Sequence, residues 1–248
     1  MSLVSIILPY FKKKSYVELT INSILNQTYE DFEIIIVDDE LSSESEKILK
    51  KIKSLDTRIK LIKNTQRLGA GYSRNKAINI AEGEYLAFCD CDDLWKENKL
   101  ENQLQFMKKV NVDFSYTSYE IINEHEKKIG FVKAKSNLDF KKLVFSCDIG
   151  LSTVMVKREL LNNLDIYFPN IKTKEDYVLW LKLVLRGVKL FGLDDTLTSW
   201  RKVKNSLSSN ILQKIFDGYR VYRIYLKYNM IKSFIYLFIL SLNSLFKK

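Results

Sequence analysis

Gly83-Glu84-Tyr85-Leu86-Ala87-Phe88-Cys89-Asp90-Cys91-Asp92-Asp93 reads as a buried strand that runs straight into acid. Tyr85 to Cys89 carries no polar alternation, which marks a strand covered on both faces. Asp90 and Asp92 stand two residues apart, and in a turning segment after a strand both carboxylates reach one point. Asp93 adds a third acid. Such crowding costs repulsion unless a cation or hydrogen bonds offset it. The plain alternative is a solvated turn whose Asp93 caps a helix starting at Leu94 or Trp95.

The pattern repeats upstream. Val4-Ser5-Ile6-Ile7-Leu8 is a short apolar run ended by Pro9, and Phe32 to Val37 is another, ended by Asp38-Asp39. Ile59 to Ile62 makes a third strand. Between them, Tyr16 to Asn26 has helical spacing, Ser42 or Ser43 caps a helix running to about Ser54, and Gly69 to Ala81 is a loop leading into a helix. Strands alternating with helices predict a parallel, doubly wound α/β sheet. Ligands of such sheets bind beyond the carboxyl ends of the strands. Right-handed crossovers would bring Pro9-Tyr10-Phe11, Asp38-Asp39 and Asp90 to Asp93 to one rim.

Downstream the pattern is less regular. Val112 to Thr117 and Ser152 to Val156 read as strands, Glu175 to Leu185 as a helix, Val188 to Leu193 as an apolar run, and Asn210 to Lys227 as a long helix. Soft boundaries near Val110 and Ser208 divide the chain into 1–110, 111–208 and 209–248. Met230 to Phe246 is mostly apolar, but it is shorter than the roughly 20 residues that span a bilayer, and Lys232 and Asn243 interrupt it. Basic residues surround it: Lys214, Arg220, Arg223, Lys227, Lys247 and Lys248. That mixture suits a helix lying in an anionic membrane interface. The alternative is a helix docked on its own domain or on a twin subunit.

The chain has 248 residues, enough for one large domain, and a formal charge of +10. The excess favours anionic partners in general. The basic residues are spread out with no arginine arm, so nucleic acid is not expected. Cys89, Cys91 and Cys147 do not form a disulfide framework, and no secretory leader precedes the first strand, so the cytoplasm is the expected compartment. The one histidine, His125, lies among Asn123, Glu124, Glu126 and Lys127 in what reads as an exposed loop. A histidine-centred triad and histidine-rich zinc sites are thereby set aside. Any metal must be held by carboxylate oxygens, which favours Mg²⁺ or Mn²⁺.

No Gly-rich loop follows the first strand and no P-loop occurs, so the phosphates of a ligand at this rim need another counter-charge. A divalent cation on the Asp90–Asp92 pair would supply it. Asp38 and Asp39 read either as a loop and cap pair or as acceptors for a base N–H and ribose hydroxyls. Tyr10 and Phe11 read either as core or rim aromatics or as a wall for a base.

Taken in order, Val4 to Tyr10, Ser23-Ile24-Leu25-Asn26-Gln27-Thr28-Tyr29 with Phe32 to Asp39, Arg67-Leu68-Gly69 with Ser73-Arg74-Asn75, and Gly83 to Asp93 resemble the family 2 glycosyltransferases. These have the GT-A fold: a Rossmann-like, mostly parallel central sheet flanked by helices, here expected to carry a C-terminal helical extension. The resemblance implies that Pro9 and Tyr10 border the nucleotide and that Asp38, with Asp39, contacts it. It also implies that Asp90 and Asp92 form the D-x-D motif flanking Cys91, with the metal bridging the donor diphosphate.

Lys174-Glu175-Asp176-Tyr177 resembles the family's acidic E-D motif, whose Asp serves as catalytic base. The alternative is an acidic first turn complementing the helix dipole. Trp200-Arg201-Lys202-Val203-Lys204-Asn205-Ser206 resembles a loop that often reads Tyr-Arg-x-His-x-x-Ser. Val203 stands in the place of the His, leaving Arg201 or Lys204 to take its contacts.

The expected activity is transfer of a hexosyl or N-acetylhexosaminyl group, with inversion, from a nucleotide sugar to an acceptor hydroxyl. Asp176 would act as base and Arg74 would touch donor phosphate or sugar. By resemblance the nucleotide is UDP, the acceptor a glycan or lipid-linked glycan, and the setting surface-polysaccharide assembly at the inner face of the membrane. A sugar nucleotidyltransferase and a non-catalytic nucleotide-sugar- or glycan-binding protein are the rivals.

Overall fold

The structure, a computed structural model, describes residues 2–204 and 210–245, the last of these by its backbone alone. Asn205, Ser206 and Ser208, with Phe246, Lys247 and Lys248, all invoked above, lie outside the described residues.

The first half forms β1 (Val4–Tyr10), α1 (Val17–Leu25), β2 (Phe32–Asp38), α2 (Ser43–Lys53), β3 (Ile59–Lys63), α3 (Ala70–Ile80) and β4 (Tyr85–Phe88). Then come β5 (Leu94–Trp95), α4 (Lys99–Val110), β6 (Phe114–Ile122), β7 (Lys128–Val132), β8 (Asn137–Leu138), α5 (Phe140–Leu143), β9 (Met155–Lys157) and α6 (Arg158–Leu164). The chain finishes with α7 (Glu175–Leu185), β10 (Leu190–Arg201), α8 (Ile211–Arg220) and α9 (Met230–Leu245). One sheet runs in the order β3-β2-β1-β4-β9-β6-β10-β5, with β7 beside β6 and β8 beside β10. The ladders joining β3, β2, β1 and β4 are parallel, as is that between β6 and β10, while β9 enters antiparallel between β4 and β6. This is the expected central sheet flanked by helices.

Alternation sends Ile6, Leu8, Ile34 and Ile36 into one core with Ile21 and Leu104, and Ile7, Ile35 and Val37 into another around Trp180. Both faces are covered, which is why the strands are apolar throughout. At the other end of β4, a Cβ on Gly83 would lie 2.6 Å from the amide nitrogen of Ser5 and 2.7 Å from the carbonyl oxygen of Leu3. Only glycine lets β4 enter beside β1. Ser42 caps α2 with its hydroxyl on the Ser45 amide, one of the two caps the sequence offered.

Several boundaries move for physical reasons. The first strand continues through Pro9 to Tyr10. Ile7 presents its carbonyl to Cys89 and Tyr10 presents its own to Asp39. Alternation therefore turns the Pro9 nitrogen to the β4 side, where β4 has already ended and no ladder bond is lost. Asp93 caps no helix: Leu94–Trp95 pair with β10, and the helix starts at Lys99. The residues read as a strand from Ser152 begin as a 3₁₀ turn, Leu151–Thr153, and the strand opens at Met155. β10 runs past Leu193 to Arg201, because Asp194 and Asp195 sit in a register shift rather than ending it. The helix read over Asn210 to Lys227 is capped by Asn210 and loosens into a π turn over Val221–Tyr225.

Candidate active site

β1, β2 and β4 end at the same edge, so the three polar clusters share a rim. Tyr10 is buried in the core, and burial raises its hydroxyl pKa. Phe11 is the rim aromatic, with the Arg67 guanidinium 3.9 Å from its ring centre.

Asp38 is buried at the end of β2. Its Oδ1 accepts from the amides of Glu40 (3.0 Å) and Leu41 (3.3 Å), and its Oδ2 from the Ser45 hydroxyl (3.0 Å). Asp39 accepts from Asn64 Nδ2, Leu68 N and Gly69 N, each at 2.8 Å. Asp39 thus straps β2 to the loop that launches α3. A carboxylate has about four acceptor sites, so each of the two keeps capacity for one more donor.

The acidic turn is held from far along the chain. The Asp90 amide donates to the Ser152 hydroxyl (3.0 Å), which itself donates to Asp93 Oδ2 (2.5 Å). The Arg201 amide donates to Asp93 Oδ1 (2.8 Å), and Arg201 Nε to the Asp92 carbonyl (2.8 Å). Burial raises Asp93 well above the usual carboxylate range, with Asp92 and Asp90 adding to the effect. Arg201 Nη2 reaches Glu126 at 3.1 Å, and Nη1 is buried with no hydrogen-bond partner among the described residues. Cys91 points inward, its thiol pKa raised by burial. Asp92 faces Lys13 at 2.5 Å, and burial raises its carboxyl against the opposing pull of that lysine.

Arg74, carried by α3, joins the acidic turn to the second half. Its side chain is 4% exposed, and it reaches Asp90 at 2.7 Å and Glu175 at 2.6 Å. Asp176 follows at the start of α7, close enough to feel both Arg74 and Asp90. One guanidinium therefore bridges two carboxylates, with Asp176 next in sequence to one of them. Burial pushes Glu175 up to about 7, against Arg74 and with the help of Asp176. Asp176 is half-buried and is raised by burial too, opposed by the Tyr177 amide and Arg74. A carboxylate raised above its ordinary range is chemically suited to accept a proton.

Among the described residues, no three His, Cys, Asp or Glu side chains form a ready metal cage. Asp92 nevertheless already holds one cation, the Lys13 ammonium, and Asp90 beside it is about a third exposed. Hard oxygen donors that gather positive charge fit Mg²⁺ or Mn²⁺.

The structure thus brings Asp90, Asp92, Arg74 and Asp176 together and ties Arg201 to the same turn. It sets Tyr10 behind the surface and gives Asp38 and Asp39 structural duties. Sequence reasoning missed Lys13, Ser152 and Glu175. Only Glu175 left a signal, as the first letter of the E-D pair.

A mostly parallel sheet flanked by helices, with acids following β4 and opening α7, is the arrangement expected of the GT-A fold. The sequence model described as glycosyl transferase family 2 matches residues 5–162, and the chain belongs to that family. It is 36% identical over 222 residues to the putative teichuronic acid biosynthesis glycosyltransferase TuaG of Bacillus subtilis, covering 89% of this chain and 87% of that one. It is 36% identical over 214 residues to the Escherichia coli UDP-Glc:alpha-D-GlcNAc-diphosphoundecaprenol beta-1,3-glucosyltransferase WfgD, covering 86% and 82%. Among solved structures, S. aureus TarS 1-349 in complex with UDP-GlcNAc superposes with a TM-score of 0.74 at 22% identity, over 96% of this chain and 70% of that one. The Pyrobaculum calidifontis mannosyltransferase PcManGT, in complex with GDP-Man and Mn²⁺, gives 0.71 at 16% identity, over 96% and 72%. The protein is a glycosyltransferase of family 2, which sets aside the nucleotidyltransferase reading.

Proposed function

We propose that the protein transfers a sugar, with inversion, from a UDP-sugar to a hydroxyl of a lipid-linked glycan at a membrane surface. The Arg74 bridge carries this reading, because it joins the acidic turn to the helix start that bears Asp176. The acceptor oxygen attacks the anomeric carbon, the bond from that carbon to the diphosphate breaks, and the hydroxyl proton passes to Asp176. Arg74 holds Asp90 and Glu175 so that Asp176 stands beside them. Arg201 fixes the Asp92 carbonyl and, through its amide, the Asp93 carboxylate. Asp38 keeps one acceptor site for a base N–H, with Phe11 on the same rim. Asp92 with Asp90 would hold Mn²⁺ or Mg²⁺, which supplies charge neutralisation of the leaving diphosphate when bound.

UDP and the lipid-linked acceptor are supported by the name of the Escherichia coli relative. The test is a panel of nucleotide sugars with undecaprenyl-diphosphate-linked acceptors, with nucleotide release measured in Mn²⁺ and in EDTA. UDP release that depends on both acceptor and metal is expected. Release from a GDP-sugar alone, or full turnover in EDTA, would overturn the corresponding part. Asp176→Asn should lower kcat by roughly 10²–10⁴-fold with UDP affinity unchanged.

A further inference from the structure

α8 and α9 form a hairpin whose outer side is apolar and bare. On α8, Ile211, Leu212, Ile215 and Phe216 are 69%, 80%, 47% and 60% exposed. On α9, Ile231, Phe234, Ile235 and Phe238 are 74%, 57%, 51% and 63% exposed. Each set follows one helical face. The two faces adjoin where Phe234 packs against Tyr219 with the rings tilted, 4.8 Å between ring centres. Gly218 permits the close approach, since a Cβ there would meet Leu237 Cδ1 at 2.8 Å. A patch of this kind marks a binding surface.

Charge identifies the occupant. Lys214, Arg223, Lys227 and Lys232 are exposed on the hairpin. Its one acid, Asp217, is fully buried. A second copy of the chain packed on this face about a two-fold axis would set like charges together. An anionic lipid surface complements them, at about 1 kcal/mol per basic residue near the surface. No helix among the described residues is long and apolar enough to cross a membrane. Bound to such a surface, the face would lie in the interface rather than span it.

The hairpin is also fastened to the reaction centre. Asp217 accepts from the amide and the hydroxyl of Thr173, both at 3.0 Å, and from Gln213 at 2.9 Å. Thr173 stands three residues before Asp176 on the segment that starts α7. A surface bound by α8 and α9 is thus held in a fixed relation to Asp176.

We propose that the α8–α9 hairpin is an interfacial anchor for anionic membrane, seating its apolar face in the headgroup layer and holding the Asp176 rim beside it. The proposal deepens the reading of a membrane-borne acceptor, but its test involves no catalysis. The full chain would be sedimented with vesicles of phosphatidylcholine and phosphatidylglycerol (3:1), and with phosphatidylcholine alone. The comparison is Leu212→Glu/Ile231→Glu, two exposed positions with no part in the acidic turn or the start of α7, with UDP affinity by calorimetry as the check on folding. The parent should pellet with the anionic vesicles and be released by high salt. The double variant should bind at least about 100-fold more weakly, from two lost apolar side chains, with UDP affinity unchanged. A parent that stays in the supernatant would overturn the proposal. So would equal binding to neutral vesicles, pelleting unaffected in the double variant, or a concentration-dependent dimer that the substitutions abolish. If vesicle binding holds while no donor is turned over, the catalytic reading fails and the anchor stands.

Discussion

Replacing Arg74 with Met keeps the bulk of the side chain and removes its charge, leaving Asp90, Glu175 and Asp176 around an apolar group. Removing one partner of a buried ion pair costs about 3–5 kcal/mol. Asp90 is 35% exposed and can be hydrated, whereas Glu175 is 11% exposed and cannot. The lower end applies, about 3 kcal/mol at pH 8, or roughly 6–12 °C in Tm for a chain of this size. The pH dependence follows from Glu175. Its folded pKa, about 7, already lies above its ordinary value because of burial, and Arg74 is what restrains it. Without Arg74 it rises further. A carboxyl raised in the folded state favours folding at low pH, and that advantage is lost as pH climbs through the folded value. The variant's deficit should therefore be largest at pH 8 and about 1–2 kcal/mol smaller at pH 5.5. Urea unfolding followed by far-UV circular dichroism at both pH values measures it. A loss under about 1 kcal/mol at pH 8, or a deficit independent of pH, would refute the view that one guanidinium holds Asp90 and Glu175 together.

Three further outcomes are expected. Asp38→Ala should weaken UDP binding by about 1–3 kcal/mol, read by calorimetry; unchanged affinity would remove Asp38 from the base pocket. Gly83→Ala should destabilise the fold by about 1–3 kcal/mol or more through overpacking, because its Cβ lands on backbone of β1; a neutral change in urea midpoint would contradict the close approach. Glu33 is held below its ordinary pKa by Lys60, Ser5 and the Glu82 amide, which together outweigh its burial. Its contribution is present above the unfolded carboxylate pKa and lost as pH falls through the lower folded value, so Glu33→Gln should cost stability at pH 7 and little at pH 3; an equal cost at both would show that the charge is irrelevant.

The sheet was legible where physics left one option. Ile34 to Val37 are buried on both faces, so they carry no polar residue to blur the strand. β10 was legible only to Leu193, because Asp194 and Asp195 occupy a bulge that reads locally as an end. Asp90 and Asp92 were legible as acids following a strand. Their counter-ions were not: Lys13 comes from the loop after β1 and Arg74 from α3, and nothing in local spacing pairs either with the turn. Arg74 and Glu175 are 101 residues apart. Asp38 and Asp39 show the converse, since their acidity was plain but their structural use depends on where Ser45, Asn64 and Gly69 fall in space.

The grip on Asp93 has a consequence for synthesis. Ser152 lies 59 residues beyond it and the Arg201 amide 108 beyond. As the polypeptide leaves the ribosome, β1 to β4 can pair as soon as they emerge, with Lys13 and Arg74 present to meet Asp92 and Asp90, but Asp93 lacks its partners until Ser152 and then β10 arrive. Closing so long a loop is slow relative to local pairing. A nascent chain stopped near residue 110 would therefore carry strands without a completed acidic turn, and the finished rim would appear only once Arg201 has emerged.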